Sequence, residues 1–197
     1  MFVFGGCSAK GRLADLYEFD TTTGAWIDYG TAPNLRGRGG ANLIALLPSK
    51  KLAVIAGFAG EETNDGAIFD LETKSWNSSL LVEELKDMRP RSVCVNGAFS
   101  GSAIVFGGEV DPSALGHEGA GGFANDVVVL DAATGHYVDT IPAASDDTDS
   151  WPETRGWSAA AATTTVDGKD CMYIFGGLSG DDSNPKRLND LWQLTID

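Results

Sequence analysis

The stretches FVFGG (2–6), LAVIAGF (52–58), AIVFGG (103–108) and MYIFGG (172–177) decide the fold. Each is a short run of β-branched and aromatic residues ending in a glycine or glycine pair, as expected of a strand that stops at a bulge or a close backbone approach. A second run with an acidic residue near its start follows each after a loop: ADLYEFD, NDGAIFD, NDVVVLD and NDLWQLT. In three of the units an aromatic stands six residues beyond the closing Asp, pairing Asp20 with Trp26, Asp70 with Trp76 and Asp131 with Tyr137. The spacing between acidic residues is constant (Asp15–Asp20, Asp65–Asp70, Asp126–Asp131), whereas the loop after the glycines varies. From Gly5 to Gly57, Gly107 and Gly176 the period is about 50 to 69 residues. Such a period means one supersecondary unit used repeatedly. Constant strands with elastic loops put specificity in the loops.

The glycine pair, the downstream aromatic and the long period together resemble the kelch repeat, over essentially the whole chain. The resemblance implies an all-β, kelch-type β-propeller in which each unit forms one four-stranded blade around a central channel. Residues 1–197 are then one propeller domain: a partial blade at 1–30, blades at 36–80 and 91–141, and a partial blade at 155–197. The first unit opens on its second strand and the last stops after its third, so we expect part of a larger, about six-bladed, propeller. A four-bladed ring closed by strand exchange is the rival. Only SLLVEELKDM (79–88) reads as a helical turn.

Composition narrows the partners. Net charge is −14, which argues against nucleic acid, since phosphate binding needs clustered Lys and Arg. No apolar run approaches the ~18 residues of a membrane span. The three cysteines (Cys7, Cys94, Cys171) lack zinc spacing, and an odd number fits a reducing, cytoplasmic setting. Asp146, Asp147 and Asp149 read as a solvated acidic loop. There is no GxSxG, no CxxC and no phosphate loop, and His117 and His136 are the only histidines.

The inner strands read as GGANLIALL (39–47), RSVCVNGAFS (91–100) and RGWSAAAATTT (155–165), small enough for a crowded axis. Because adjacent antiparallel strands run in opposite directions, the start of a first strand and the end of a second strand share one face. Arg38, Arg91 and Arg155 sit at those starts. They either converge on the channel mouth as an anion site or tie blade to blade through carbonyls and acidic neighbours. The loop 108–126 opens on the same face and carries Glu109, Asp111, His117 and Glu118. A carboxylate and an imidazole there either ligate a divalent metal or fix a glycine-rich loop by hydrogen bonding.

A narrower resemblance rests on RGGANL, GFAG, RSV, GGEV with a following His and GAG, and RGW, in that order across about residues 36–177. These resemble the nitrile-specifier and epithiospecifier proteins, a kelch group acting on glucosinolate breakdown products. The resemblance implies a non-haem Fe(II) at Glu109 and His117, with Ser113 where the family has Asp and Asp111 as a possible substitute. It also implies a sulfated thiohydroximate substrate at the mouth, met by Arg91, Phe58 and Trp157, with Arg38 and Arg155 on the same face by topology. Trp26, Trp76 and Tyr137 read as inter-blade packing. The alternative function is a non-catalytic module that grips a protein partner with the same loops.

Overall fold

The computed structural model describes residues 1–116, 119–144 and 150–196. They form four antiparallel sheets. The first contains β1 (Phe2–Ser8), β2 (Gly11–Phe19) and β3 (Trp26–Thr31). The second contains β4 (Asn42–Leu46), β5 (Lys51–Phe58), β6 (Glu62–Asp70) and β7 (Ser75–Trp76), and the third β8 (Val95–Ala98), β9 (Ser102–Asp111), β10 (Gly122–Asp131) and β11 (Tyr137–Ile141). The fourth contains β12 (Ala159–Thr164), β13 (Asp170–Asp181) and β14 (Asn184–Ile196). Strands pair in sequence order within each sheet, as in propeller blades. The run 79–88 contributes only a short 3₁₀ turn, Glu83–Leu85, which buries Leu85 and Met88.

The sequence suggests strands that stop at the glycine pairs, but the second strands run on through them to Ser8, Asp111 and Asp181, and the glycines mark a bend within each strand for a steric reason. The register slips between Phe4 and Gly6, between Ile55 and Gly57, and between Phe175 and Gly177. The backbone turns left-handed there, with φ of 59° at Gly5, 65° at Gly107 and 59° at Gly176. A Cβ at Gly5 or Gly107 would come within 2.9 Å of the Arg38 carbonyl oxygen or 2.6 Å of that of Arg155. The glycines are therefore where the next blade's first strand presses in.

That contact belongs to a staple repeated three times. The backbone N–H groups of Arg38, Arg91 and Arg155 donate to Leu13, Thr63 and Ala124 of the preceding sheet. Their carbonyls accept from Gly6, Gly57 and Gly108 of that same sheet. The side chain then turns into its own sheet. The Nη1 of Arg91 donates to the Gly107 carbonyl at 3.0 Å and to Asp126 Oδ1 at 2.7 Å, while Nη2 takes Asp126 Oδ2 at 3.0 Å. Arg155 repeats this on Gly176 and Asp190, and Arg38 on Ala56 and Asp65 with Thr63 added. The arginine side chains are 0–1% exposed. This corrects the anion-site expectation for Arg38, Arg91 and Arg155. Each guanidinium is enclosed between sheets and already engaged by a carboxylate, so it is not offered to a ligand.

Alternation along the second strands builds the core between sheets. Phe2, Phe4 and Leu16 meet Leu52 and Phe69 of the second sheet. Ala53 and Ile55 pack on Ala103 and Val105 of the third, while Ile104 and Phe106 pack on Met172 and Ile174 of the fourth. Each fully buried aliphatic or aromatic side chain contributes roughly 1.5–3 kcal/mol. Trp76 lies edge-on to Phe4 and Phe69, and Tyr137 packs on the same core. Trp26 departs from the packing expectation. It is 55% exposed, and its ring contacts among the described residues are with Tyr17 and Phe19 of its own sheet.

Two outcomes follow for the staple. Arg91→Ala leaves Asp126 and the Gly107 carbonyl without their partner and should lower unfolding stability by roughly 3 kcal/mol in urea titration. The Arg155 guanidinium holds Asp190 down from 3.8 to about 2. Its folded value lies below its unfolded one, so the stabilisation is full above the unfolded value and disappears as pH falls through the folded one. The stability gap between the wild type and Asp190→Asn should therefore shrink between about pH 4 and about pH 2.

Candidate functional site

The starts of the first strands do form a mouth, built from backbone. Gly40, Val93 and Trp157, each two residues after a staple arginine, all have positive φ (60°, 49° and 60°). The Val93 N–H donates to the Gly40 carbonyl at 2.8 Å, and the Trp157 N–H to the Val93 carbonyl at 2.9 Å. A hydrogen-bonded chain thus runs from sheet to sheet around the opening. Left-handed backbone at a β-branched residue and at a bulky one is costly and collects at functional sites.

Inside this rim lies a cavity of about 1030 Å³ lined by residues from all four sheets. Phe58 and Trp157 line it, as the sequence expects, and Trp157 is 50% exposed. Glu109 and Ser113 line it as well. Arg38, Arg91 and Arg155 do not. Two other arginines do, Arg12 and Arg187, both exposed and neither in an ion pair among the described residues. The Arg12 guanidinium sits 4.5 Å above the Phe58 ring in a cation–π contact. Sequence reasoning missed both. The signal was present as a register: each stands three residues before its strand's Asp, Arg12 before Asp15 and Arg187 before Asp190, where the second and third units carry Glu62 and Phe123.

The implied iron site fits the described residues poorly. The Asp111 carboxylate turns outward to Arg89 at 3.0 Å, with 73% of its side chain exposed. Glu109 Oε1 accepts from the Ser113 N–H at 3.2 Å. The Ser113 hydroxyl donates to Asp182, a residue of the β13–β14 turn. No three potential ligands come together among the described residues. His117 and Glu118 lie outside them, as do Asp146, Asp147 and Asp149.

One buried acid stands behind the rim. Both Glu62 carboxylate oxygens are buried without a close hydrogen-bond partner among the described residues. Burial pushes the carboxyl up to about 7, the negative charges of Glu109 and Asp111 adding to the effect while nearby Ser92 opposes it.

Comparison with known proteins agrees with this architecture. The profile of the KLHDC2/KLHL20/DRC7 Kelch-repeats domain matches residues 1–108. The chain is also 26% identical over 196 residues to the N-(sulfonatooxy)prop-2-enimidothioate sulfolyase of Thlaspi arvense, a match covering 90% of this chain and 54% of that protein. The chain thus spans about half the length of that curated relative. Among the described residues no helix is long and apolar enough to cross a membrane.

Glu62 gives a measurable pH signature. Its unfolded carboxyl ionises near 4.5 and its folded one at about 7. The folded state holds the proton longer, so stability should fall as pH rises through that window and level off above it. Melting temperatures between pH 4.5 and 8 should show this decline in the wild type and a flatter profile in Glu62→Gln.

Proposed function

Because the chain belongs to the kelch-repeat family, we propose that its channel mouth binds a small organic anion, with Arg12 and Arg187 as the anion-binding groups and Phe58 and Trp157 as the apolar walls. The carrying observation is the pair of guanidiniums, in no ion pair among the described residues, that line one cavity with Phe58 and Trp157 in a chain of net charge −14. Guanidinium is the side chain best matched to the planar, bidentate recognition of sulfate, phosphate or carboxylate. A cavity of this size holds a small molecule with a polar head and an apolar tail.

The sulfolyase relative suggests the ligand class, a thiohydroximate bearing an N–O-sulfate like that of a glucosinolate aglycone. Loss of sulfate from such a compound to give a nitrile breaks the N–O bond with its electron pair leaving on the sulfate oxygen, while the C–S bonding pair becomes the third C–N bond and the sulfur departs as S⁰. Two guanidiniums at the sulfate would stabilise that growing charge, while the aromatic walls hold the organic part and exclude water. Of the residues the resemblance assigns to Fe(II), Glu109 accepts from the Ser113 N–H and Asp111 pairs with Arg89, while His117 lies outside the described residues. A protein partner, the general use of kelch modules, would have to present an anionic group to the same two arginines.

Thermal melting in sodium sulfate against sodium chloride of equal ionic strength is the test. Sulfate should raise the melting temperature of the wild type and should not raise that of an Arg12→Ala/Arg187→Ala double variant. Arg89→Ala, outside the cavity, should respond like the wild type. Equal stabilisation of the double variant would refute the assignment.

A further inference from the structure

One wall of the mouth is the loop joining β9 to β10, which supplies Pro112, Ser113, Gly116 and Gly119 to the cavity. A glycine-rich loop carries no core of its own and needs an external anchor to keep one shape. The anchor comes from another sheet, 62 to 69 residues away in sequence. Asp182 Oδ1 accepts from the Ser113 hydroxyl at 2.5 Å and from the Ala120 N–H at 3.0 Å. Its Oδ2 accepts from the Ala114 N–H at 3.2 Å. One carboxylate thus gathers both described ends of the loop, through hydrogen bonds strengthened by its charge.

Two further observations show that the fit is built. Asp182 has no part in its own turn: the neighbouring Asp181 closes it, accepting from the Ser183 N–H at 2.8 Å and the Asn184 N–H at 2.9 Å. Asp182 is left to reach across. On the loop side, a Cβ at Gly119 would overlap both Ser113 Oγ and Asp182 Oδ1, and one at Gly121 would overlap Glu109 Oε1. The glycines at these positions are what let the carboxylates approach. Ser113 is the node of the arrangement, since its N–H donates to Glu109 and its hydroxyl oxygen accepts from the Leu115 N–H at 2.9 Å.

We propose that Asp182 is the positioning residue of the mouth: its carboxylate clasps the β9–β10 loop to the fourth sheet and completes that wall of the cavity without a metal ion. The resemblance puts a liganding Asp at the position of Ser113. In this chain a hydroxyl donor stands there instead and meets a carboxylate delivered from the next blade. A carboxylate at residue 113 would face Asp182 as a like charge, which a cation would have to offset. The hydroxyl removes that need. The clasp does not depend on what the mouth binds.

Amide hydrogen exchange by NMR, on protein without added ligand, tests this. In the wild type the Ala114 and Ala120 amides should be protected, and EDTA should leave that protection unchanged. Asp182→Ala should speed exchange at both amides by about tenfold or more, with the β13 and β14 amides and the melting temperature unaltered. Asp182→Asn keeps one acceptor oxygen and should fall between the two. Gly119→Ala should reproduce Asp182→Ala from the loop side, which keeps the test valid if the Asp182 variants fold poorly. Unchanged protection in Asp182→Ala and Gly119→Ala, or loss of wild-type protection in EDTA alone, would overturn the proposal. Neither result bears on whether sulfate binds through Arg12 and Arg187.

Discussion

The structure depends on a buried arginine that has to be satisfied from two sheets at once. A guanidinium withdrawn from water needs nearly all of its donors met. In the third sheet Arg91 meets this with its Nε on the Arg89 carbonyl, Nη1 on Gly107 and Asp126, and Nη2 on Asp126 again. Only a planar fork reaches all of these together, so lysine could not replace it. The backbone of the same residue is bound to the preceding sheet through Thr63 and Gly57. The staple therefore fixes both the distance and the rotation between neighbouring blades. Hydrophobic packing between the sheets tolerates small slides, whereas a bidentate charge pair does not.

The staple also accounts for residues that look unrelated in sequence. Gly5 and Gly107, at the second-strand bends of the first and third sheets, leave room for the carbonyls of Arg38 and Arg155. The acidic residue early in the third strand, Asp65, Asp126 or Asp190, is the counter-charge. Arg38 is the weakest copy. Its Nη2 has no partner and Asp65 contacts it through one oxygen, with Thr63 adding a hydroxyl that also donates to the Gly57 carbonyl. Ala56 accompanies this imperfect copy, holding a φ of 61° where the other units have glycine.

The fold was legible because its signals are local and repeated. Strand, glycine and acidic residue recur at fixed offsets, and four copies outweigh the ambiguity of any one. The site was legible only in part. Phe58 and Trp157, named through the family resemblance, do line the cavity. Arg38, Arg91 and Arg155 were placed at the strand starts with two roles left open, anion site or tie between blades, because topology locates a Cα and does not say whether a long side chain turns inward or outward. Their counter-charges lay 27 to 35 residues further on, on the third strand of the same sheet, a pairing visible only once the sheet is folded. Arg12 and Arg187 were passed over for the opposite reason. An arginine in a half-exposed strand is unremarkable until the register shows it opening onto the mouth.

The charge of the whole molecule sets how such a mouth has to work. At −14 the chain repels an approaching anion, and the repulsion acts over about a Debye length, ~8 Å at physiological ionic strength. Long-range steering therefore cannot concentrate an anionic ligand at this site. Any attraction would have to begin inside the cavity, where two guanidiniums with no ion pair among the described residues line the same space as Phe58 and Trp157. Discrimination then falls to contact: an inorganic anion gains the arginines but not the aromatic walls, and a neutral organic molecule gains the walls but not the arginines. A ligand with both parts is the only kind for which the two contributions add. Arg12 ties them together physically, because the guanidinium that would meet the anion is the one resting on Phe58.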